Sequence, residues 1–159
     1  MSTSSSAVQI ESRILNEGYG PGAWHGADLK AALADVAPAQ AFARPAAGRH
    51  NIAEIALHHA YCARSVRAQL AGRAAEPFIL DGEDWFQVAG ESTLSWPAIL
   101  ATVESEQERL AAVVAAIEAG SASSPLPETE RLNLVLGITC HAVYHAGQVQ
   151  LVKRLLTSQ

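Results

Sequence analysis

Apolar residues recur every three to four positions along most of this chain, and the pattern resolves into four helical segments separated by glycine- and proline-rich breaks. Val8, Ile10, Ile14 and Leu15 predict a first helix ending near Glu17, where Gly18, Gly20, Pro21 and Gly22 interrupt the pattern. A short helical piece follows through Leu29, Leu33 and Val36, and the stretch from Pro38 to Gly48 reads as a connection. Ile52, Ile55, His59, Cys62, Val66 and Leu70 form the stripe of a second long helix over roughly 51–71. Asn51 with Glu54 resembles a capping box at its start, and Gly72 closes it. Ser95 can cap a third helix over roughly 95–119, with Pro97 tolerated in its first turn. Its stripe is Ile99, Val103, Leu110, Val114 and Ile117. Glu106 and Gln107 interrupt it, so either the bundle is wet at that depth or a polar group is wanted there. The last helix, roughly 129–156, carries Leu134, Ile138, His141, His145, Val152 and Leu156 on one stripe. Glu128 and Glu130 suit its N-terminus, and Lys153 and Arg154 its C-terminus. No strand pattern competes with this reading, which makes the chain an all-α, four-helix bundle.

Two imidazoles on an apolar stripe change the picture. His141 and His145 are four residues apart, one turn on the same face, the spacing with which two histidines can grip one metal ion. A hydrogen-bonded pair of core histidines satisfies the same spacing, because buried polar groups need partners of some kind. On the second long helix, His59 lies near the centre of the stripe and His58 about 80° from it, so periodicity alone selects His59 as the buried one. The irregular segment from Arg73 to Ser95, which holds Asp81, Glu83, Asp84 and Trp85, is long enough to cover a site.

Composition narrows the classes. A chain of 159 residues, 49% hydrophobic, suits one domain over 1–159 with a polar lead at 1–6. Eleven basic against sixteen acidic residues give a formal charge of −5 with no basic block, which argues against nucleic acid as a partner. The start lacks the charged and apolar regions of a signal peptide, and no apolar run reaches membrane length. Cys62 and Cys140 lie inside predicted helices, a pattern of reduced thiols in a cytoplasmic protein. No Ser-His-Asp order is present. Gly18-Tyr19-Gly20-Pro21-Gly22 lacks the strand and lysine that a phosphate-binding loop needs.

Four short motifs then stand together: Ala23-Trp24-His25-Gly26; the run from His50 to His58; Asp84-Trp85 ahead of the third helix; and His141-Ala142-Val143-Tyr144-His145-Ala146-Gly147-Gln148. In these residues and their order the chain resembles the DinB/YfiT-like superfamily, in particular its larger DinB-like branch, from about Trp24 to Leu155. The resemblance implies a metal held by three histidines: His58 from the second long helix, and His141 and His145 from the last. His59 stands where the family usually has a large aliphatic residue, as either a core residue or a group supporting a ligand. Gln107 stands where histidine is common. Three neutral imidazoles suit Zn²⁺ or Ni²⁺, with Fe²⁺ and Mn²⁺ compatible, and leave positions open for substrate.

The function implied is a metal-dependent transferase conjugating a low-molecular-weight thiol to an electrophile. A hydrolase using metal-bound water is the alternative, and a non-catalytic metal-binding stress-response bundle the third reading. Candidates for the substrate pocket are Trp24, His25, His50, Tyr61, Trp85, Gln107 and Tyr144, although Tyr144 is offset from the ligand face and suits packing against a neighbouring helix. Gln148 is placed to orient His145 or His141, and Gly147 to let another helix approach. Leu57 and Leu151, apolar beyond the main stripes, suggest a self-complementary face and a two-fold homodimer.

Overall fold

The computed structural model describes residues 9–157, so the polar lead at 1–6 and Val8 lie outside the described residues. Six helices follow in order: α1 Ile10–Gly18, α2 Leu29–Leu33, α3 Pro38–Phe42, α4 Ile52–Ala71, α5 Trp96–Glu118 and α6 Glu128–Thr157. Among the described residues there is no strand. α1, α4, α5 and α6 pack as a bundle: α4 lies against α5 and α6, and α1 against α6 and α5. None of the described helices is long and apolar enough to cross a membrane.

The helix ends follow from local chemistry. Asn51 accepts the Glu54 amide at 2.9 Å and so caps α4. The reciprocal half of the expected capping box is missing, because the Glu54 carboxylate turns instead to Arg44, His50 and the Val88 amide. Gly72, at φ 63°, ends α4 in the left-handed region. Ser95 caps α5 through the Ala98 amide at 3.3 Å. The N-terminus of α1 is capped from a distance: Glu118, the last residue of α5, accepts the amides of Glu11 at 2.7 Å and Ser12 at 3.2 Å. One correction concerns the stretch from Pro38 to Gly48, which holds the one-turn helix α3. Proline fits the first position of a helix, where its missing N–H would have no partner anyway.

Buried apolar residues form two clusters. One gathers α2, α3, the first half of α4, Phe86, Val88, the first half of α5 and the second half of α6. The other gathers α1, the second half of α4 and the facing ends of α5 and α6. The histidines fall where the two meet, in the first half of α4 and near the middle of α6. Both polar interruptions on α5 are buried there: Glu106 pairs with Arg67 at 3.0 Å and Arg109 at 3.2 Å, while Gln107 faces His59.

Leu57 is completely buried in the first cluster, so it leaves no apolar excess on the surface, whereas Leu151 is exposed. Gly147 has no atom near enough to need its missing side chain. Close approach occurs instead at Gly18, where a Cβ would stand 2.9 Å from Ala142 Cβ and 3.0 Å from Thr139 O. The α1–α6 crossing therefore depends on Gly18.

Candidate metal centre

The centre starts from two helices held side by side. α4 carries His58 and His59 inward, and α6 carries His141 and His145 one turn apart. His141 Nε2 lies 3.0 Å from His58 Nε2 and 3.1 Å from His145 Nε2. The ligand atoms of all three lie within 4.8 Å of one another, so the group could hold a metal ion. Nitrogens bound at about 2.0–2.1 Å to one ion stand roughly 3.0–3.4 Å apart at octahedral to tetrahedral angles, and the observed separations fit that range.

Each ring is held from its other nitrogen. His58 Nδ1 contacts the Asp84 carbonyl oxygen at 2.9 Å and its carboxylate at 3.1 Å. His145 Nδ1 is 2.6 Å from Gln148 Oε1. His141 Nδ1 is 3.3 Å from His59 Nδ1. A ring that donates from Nδ1 keeps a lone pair on Nε2, so these outer contacts favour the tautomer in which three lone pairs converge.

Electrostatics favour the same state. Burial, then the neighbouring charges of His145 and His58, pushes His141 down to about 4. Burial also lowers His145, opposed by its bond to Gln148. His59 is pushed to about 3, chiefly by burial and then by His141 and His145. His141, His145 and His59 are therefore neutral near pH 7, the state in which an imidazole can ligate a metal. Gln107 opposes this lowering at His59, but His59 Nε2 has no partner at full hydrogen-bond geometry. Gln107 thus approaches His59 closely without a formed bond.

His58, Cys62 and Asp84 also share ligand spacing. That second group would need a thiolate, yet burial and then Asp84 push Cys62 up to about 11. The three histidines are the better donor set.

The loop between α4 and α5 covers the site. Asp84 adopts φ 63°, the only described non-glycine residue in the left-handed region, and its carbonyl reaches His58. Trp85 then stacks between two rings, 3.9 Å from His58 and 3.8 Å from His50. His50 is fixed in turn by Glu54 at 2.9 Å, and Arg44 forms a two-point ion pair with the same carboxylate. Burial alone would raise the Glu54 pKa. The bonds from Arg44, His50 and the Val88 amide outweigh it and hold the carboxyl below its ordinary value.

Beside the centre opens a cavity of about 470 Å³, lined by His145, Gln148, Tyr144, Trp85, His50 and Arg49 together with aliphatic side chains of α6. The structure thus brings His50, Trp85 and Gln148 to the cavity. Tyr144, expected to pack against a neighbouring helix, is instead exposed at the cavity and lies edge-on to His145 with ring centroids 5.3 Å apart. Gln107 is buried behind His59, away from the cavity. Trp24 is 93% exposed and does not line it, and His25 is tied to the Glu17 carbonyl at 2.7 Å on the outside of the bundle. Tyr61 packs edge-on against Phe78 and Phe86. Sequence reasoning assigned Arg49 no role at all; an isolated arginine in a loop carries no signal of what it faces.

A family profile described as the DinB superfamily matches residues 23–149. The chain belongs to the DinB superfamily. The matched region of this DinB-superfamily protein spans α2 to most of α6 and includes all four histidines of the centre. No curated protein and no solved structure matches the chain.

Proposed function

We propose that this DinB-superfamily protein is a metal-dependent enzyme in which His58, His141 and His145 hold one divalent cation, Zn²⁺ or Ni²⁺ in preference to Fe²⁺ or Mn²⁺, and that it transfers a low-molecular-weight thiol onto an electrophile. The observation that carries the reading is three Nε2 atoms converging beside a cavity that, among the described residues, no carboxylate lines. When bound, the cation supplies the positive charge that lowers the pKa of a thiol entering the open position.

The chain's own residues do the rest. Asp84, Gln148 and His59 fix the three rings by their outer nitrogens. Trp85, clamped between His50 and His58, forms a stiff wall, and the aliphatic side chains of α6 keep that side of the cavity dry. The chain offers no thiolate of its own here, since Cys62 is held protonated, so the nucleophile comes from outside. The nearby carboxylates of Glu54 and Asp84 are already committed to Arg44, His50 and His58, so neither is free to take a proton from the nucleophile. A thiol, with an ordinary pKa of about 8.5 against roughly 15.7 for water, depends less on such a base, and this favours thiol transfer over hydrolysis.

Protein purified without a histidine tag, analysed for metal and then given cysteine, bacillithiol or mycothiol with a panel of alkyl and aryl halides, tests the reading. The expected result is thiol consumption that requires the metal and disappears in His141→Ala. Stoichiometric metal with no consumption of any thiol would overturn it, and ester or amide cleavage without thiol would replace it with the hydrolase.

A further inference from the structure

The cavity beside the centre has a charge that no described residue of the site answers. Its walls are Ile55, Trp85, Tyr144, Leu151, Val152 and Leu155, and among the described residues Arg49 is the one of fixed charge in its lining. Several cations elsewhere are paired with carboxylates: Arg13 with Glu17, Lys30 with Glu104, Arg44 with Glu54, Lys153 with Asp35. Arg49 has no carboxylate partner among the described residues. The acidic groups around the cavity are taken, since Glu54 holds Arg44 and His50 while Asp84 holds His58.

Its backbone, by contrast, is pinned. The Arg49 amide donates to the Ala46 carbonyl at 3.2 Å, and the Arg49 carbonyl accepts Arg44 Nη1 at 2.5 Å. The same Arg44 guanidinium grips Glu54 on α4, so the loop is tied to the bundle where Arg49 meets the cavity. A largely apolar chamber with one exposed, unanswered arginine on a pinned backbone suits a ligand with a hydrophobic body and one anionic end.

We propose that Arg49 binds a carboxylate on the electrophilic substrate, whose class is therefore small carboxylic acids with an aryl or alkyl body. The planar fork of a guanidinium matches a carboxylate in two-point contact. Because Arg49 and His145 line the same cavity, a molecule anchored by its acid end extends its other end along the apolar wall toward the histidines. This deepens the reading of the cavity as the substrate site and rests on it.

The test is calorimetric titration of the full chain, at its measured metal content, with 4-phenylbutyrate and with the neutral 4-phenylbutanamide. The acid is expected to bind about fivefold more tightly or better, a ratio set by the upper range for a solvent-accessible ion pair. Arg49→Gln should bring the two ligands to equal affinity, and Arg49→Lys should retain part of the preference. Circular dichroism of both variants should match the parent, because the loop is anchored through backbone groups that the substitutions leave in place. Equal affinities in the parent, no binding of either ligand, or an acid preference that survives in Arg49→Gln would each overturn the proposal; the last would place the carboxylate on the cation instead. Repeating the titration after chelation separates this outcome from failure of the thiol-transfer reading, which is judged by metal content and thiol consumption alone.

Discussion

His59 and His141 meet nitrogen to nitrogen, Nδ1 to Nδ1 at 3.3 Å, while the far nitrogen of the same His141 ring faces His58 at 3.0 Å. Two consecutive residues of α4 therefore grip one ring of α6 from opposite sides. One of the two Nδ1 atoms must donate and the other accept. With His141 donating, its Nε2 keeps the lone pair that faces His58 and His145, and His59 carries its own proton on Nε2, toward Gln107. The second of two adjacent histidines on α4 thus sets the tautomer of a ligand candidate.

The four histidines should separate by metal content. His58→Ala, His141→Ala and His145→Ala are each expected to abolish stoichiometric metal binding, since each removes one of three donors. His59→Ala removes only an outer partner and should retain metal with an affinity lowered by about 10–100-fold. Metal analysis after dialysis against a graded chelator decides the order. Loss of metal from His59→Ala with retention in His58→Ala would reverse the assignment.

Acid should loosen the metal-free fold in a defined window. His59 titrates near 3 when folded, because burial and then His141 and His145 disfavour its charged form, against 6.5 in the ordinary case. Between these values the unfolded chain binds a proton that the folded chain refuses. Stability is therefore complete above about pH 6.5 and falls as the pH drops toward 3. Removing one such proton, in His59→Leu, should make the fall shallower by about 1.4 kcal/mol per pH unit. Urea unfolding in chelator at pH 6.5, 5.5 and 4.5 measures it; parallel acid losses in parent and variant would refute the assignment.

Two glycines should respond in opposite directions. Gly18→Ala forces a methyl group against Ala142 Cβ and Thr139 O, and should cost about 1–3 kcal/mol as α1 is pushed off α6. Gly147→Ala meets nothing and replaces a poor helix former inside α6, so it should stabilise by roughly 0.5–1 kcal/mol. Denaturant midpoints of the two variants provide the check.

At the Asp84 turn, backbone and side chain can be told apart. Asp84→Gly keeps the carbonyl that meets His58 and relieves a left-handed φ, so it should hold metal and gain about 1 kcal/mol in stability. Gln148→Leu removes the hydrogen-bond partner that His145 Nδ1 has among the described residues, and should weaken metal binding by at least about tenfold. Chelator competition on both variants, with thermal melts, would expose a reversed order.

What the sequence determined by itself was whatever depends on near neighbours. Helical spacing and caps placed α4, α5 and α6 within a residue or so of where they lie, because Asn51, Ser95 and Gly72 act on amides and torsions a few residues away. The same spacing put His141 and His145 on one turn, and the motifs added His58. Periodicity alone selected His59 as the buried one of the adjacent pair, and the structure buries both, His59 at 1% exposed and His58 at 7%. Only the tertiary structure decided what each group meets across the bundle. It tied Asp84 to His58 over 26 residues and joined His59 to His141 over 82. It also buried Leu57, turned Trp24 outward, brought Tyr144 to the cavity, and set Arg49 at its edge without a counter-ion. The reason is physical: a cap or a helical face is fixed by local geometry, whereas a hydrogen-bond partner, a cavity wall or an unanswered charge exists only once distant segments have packed.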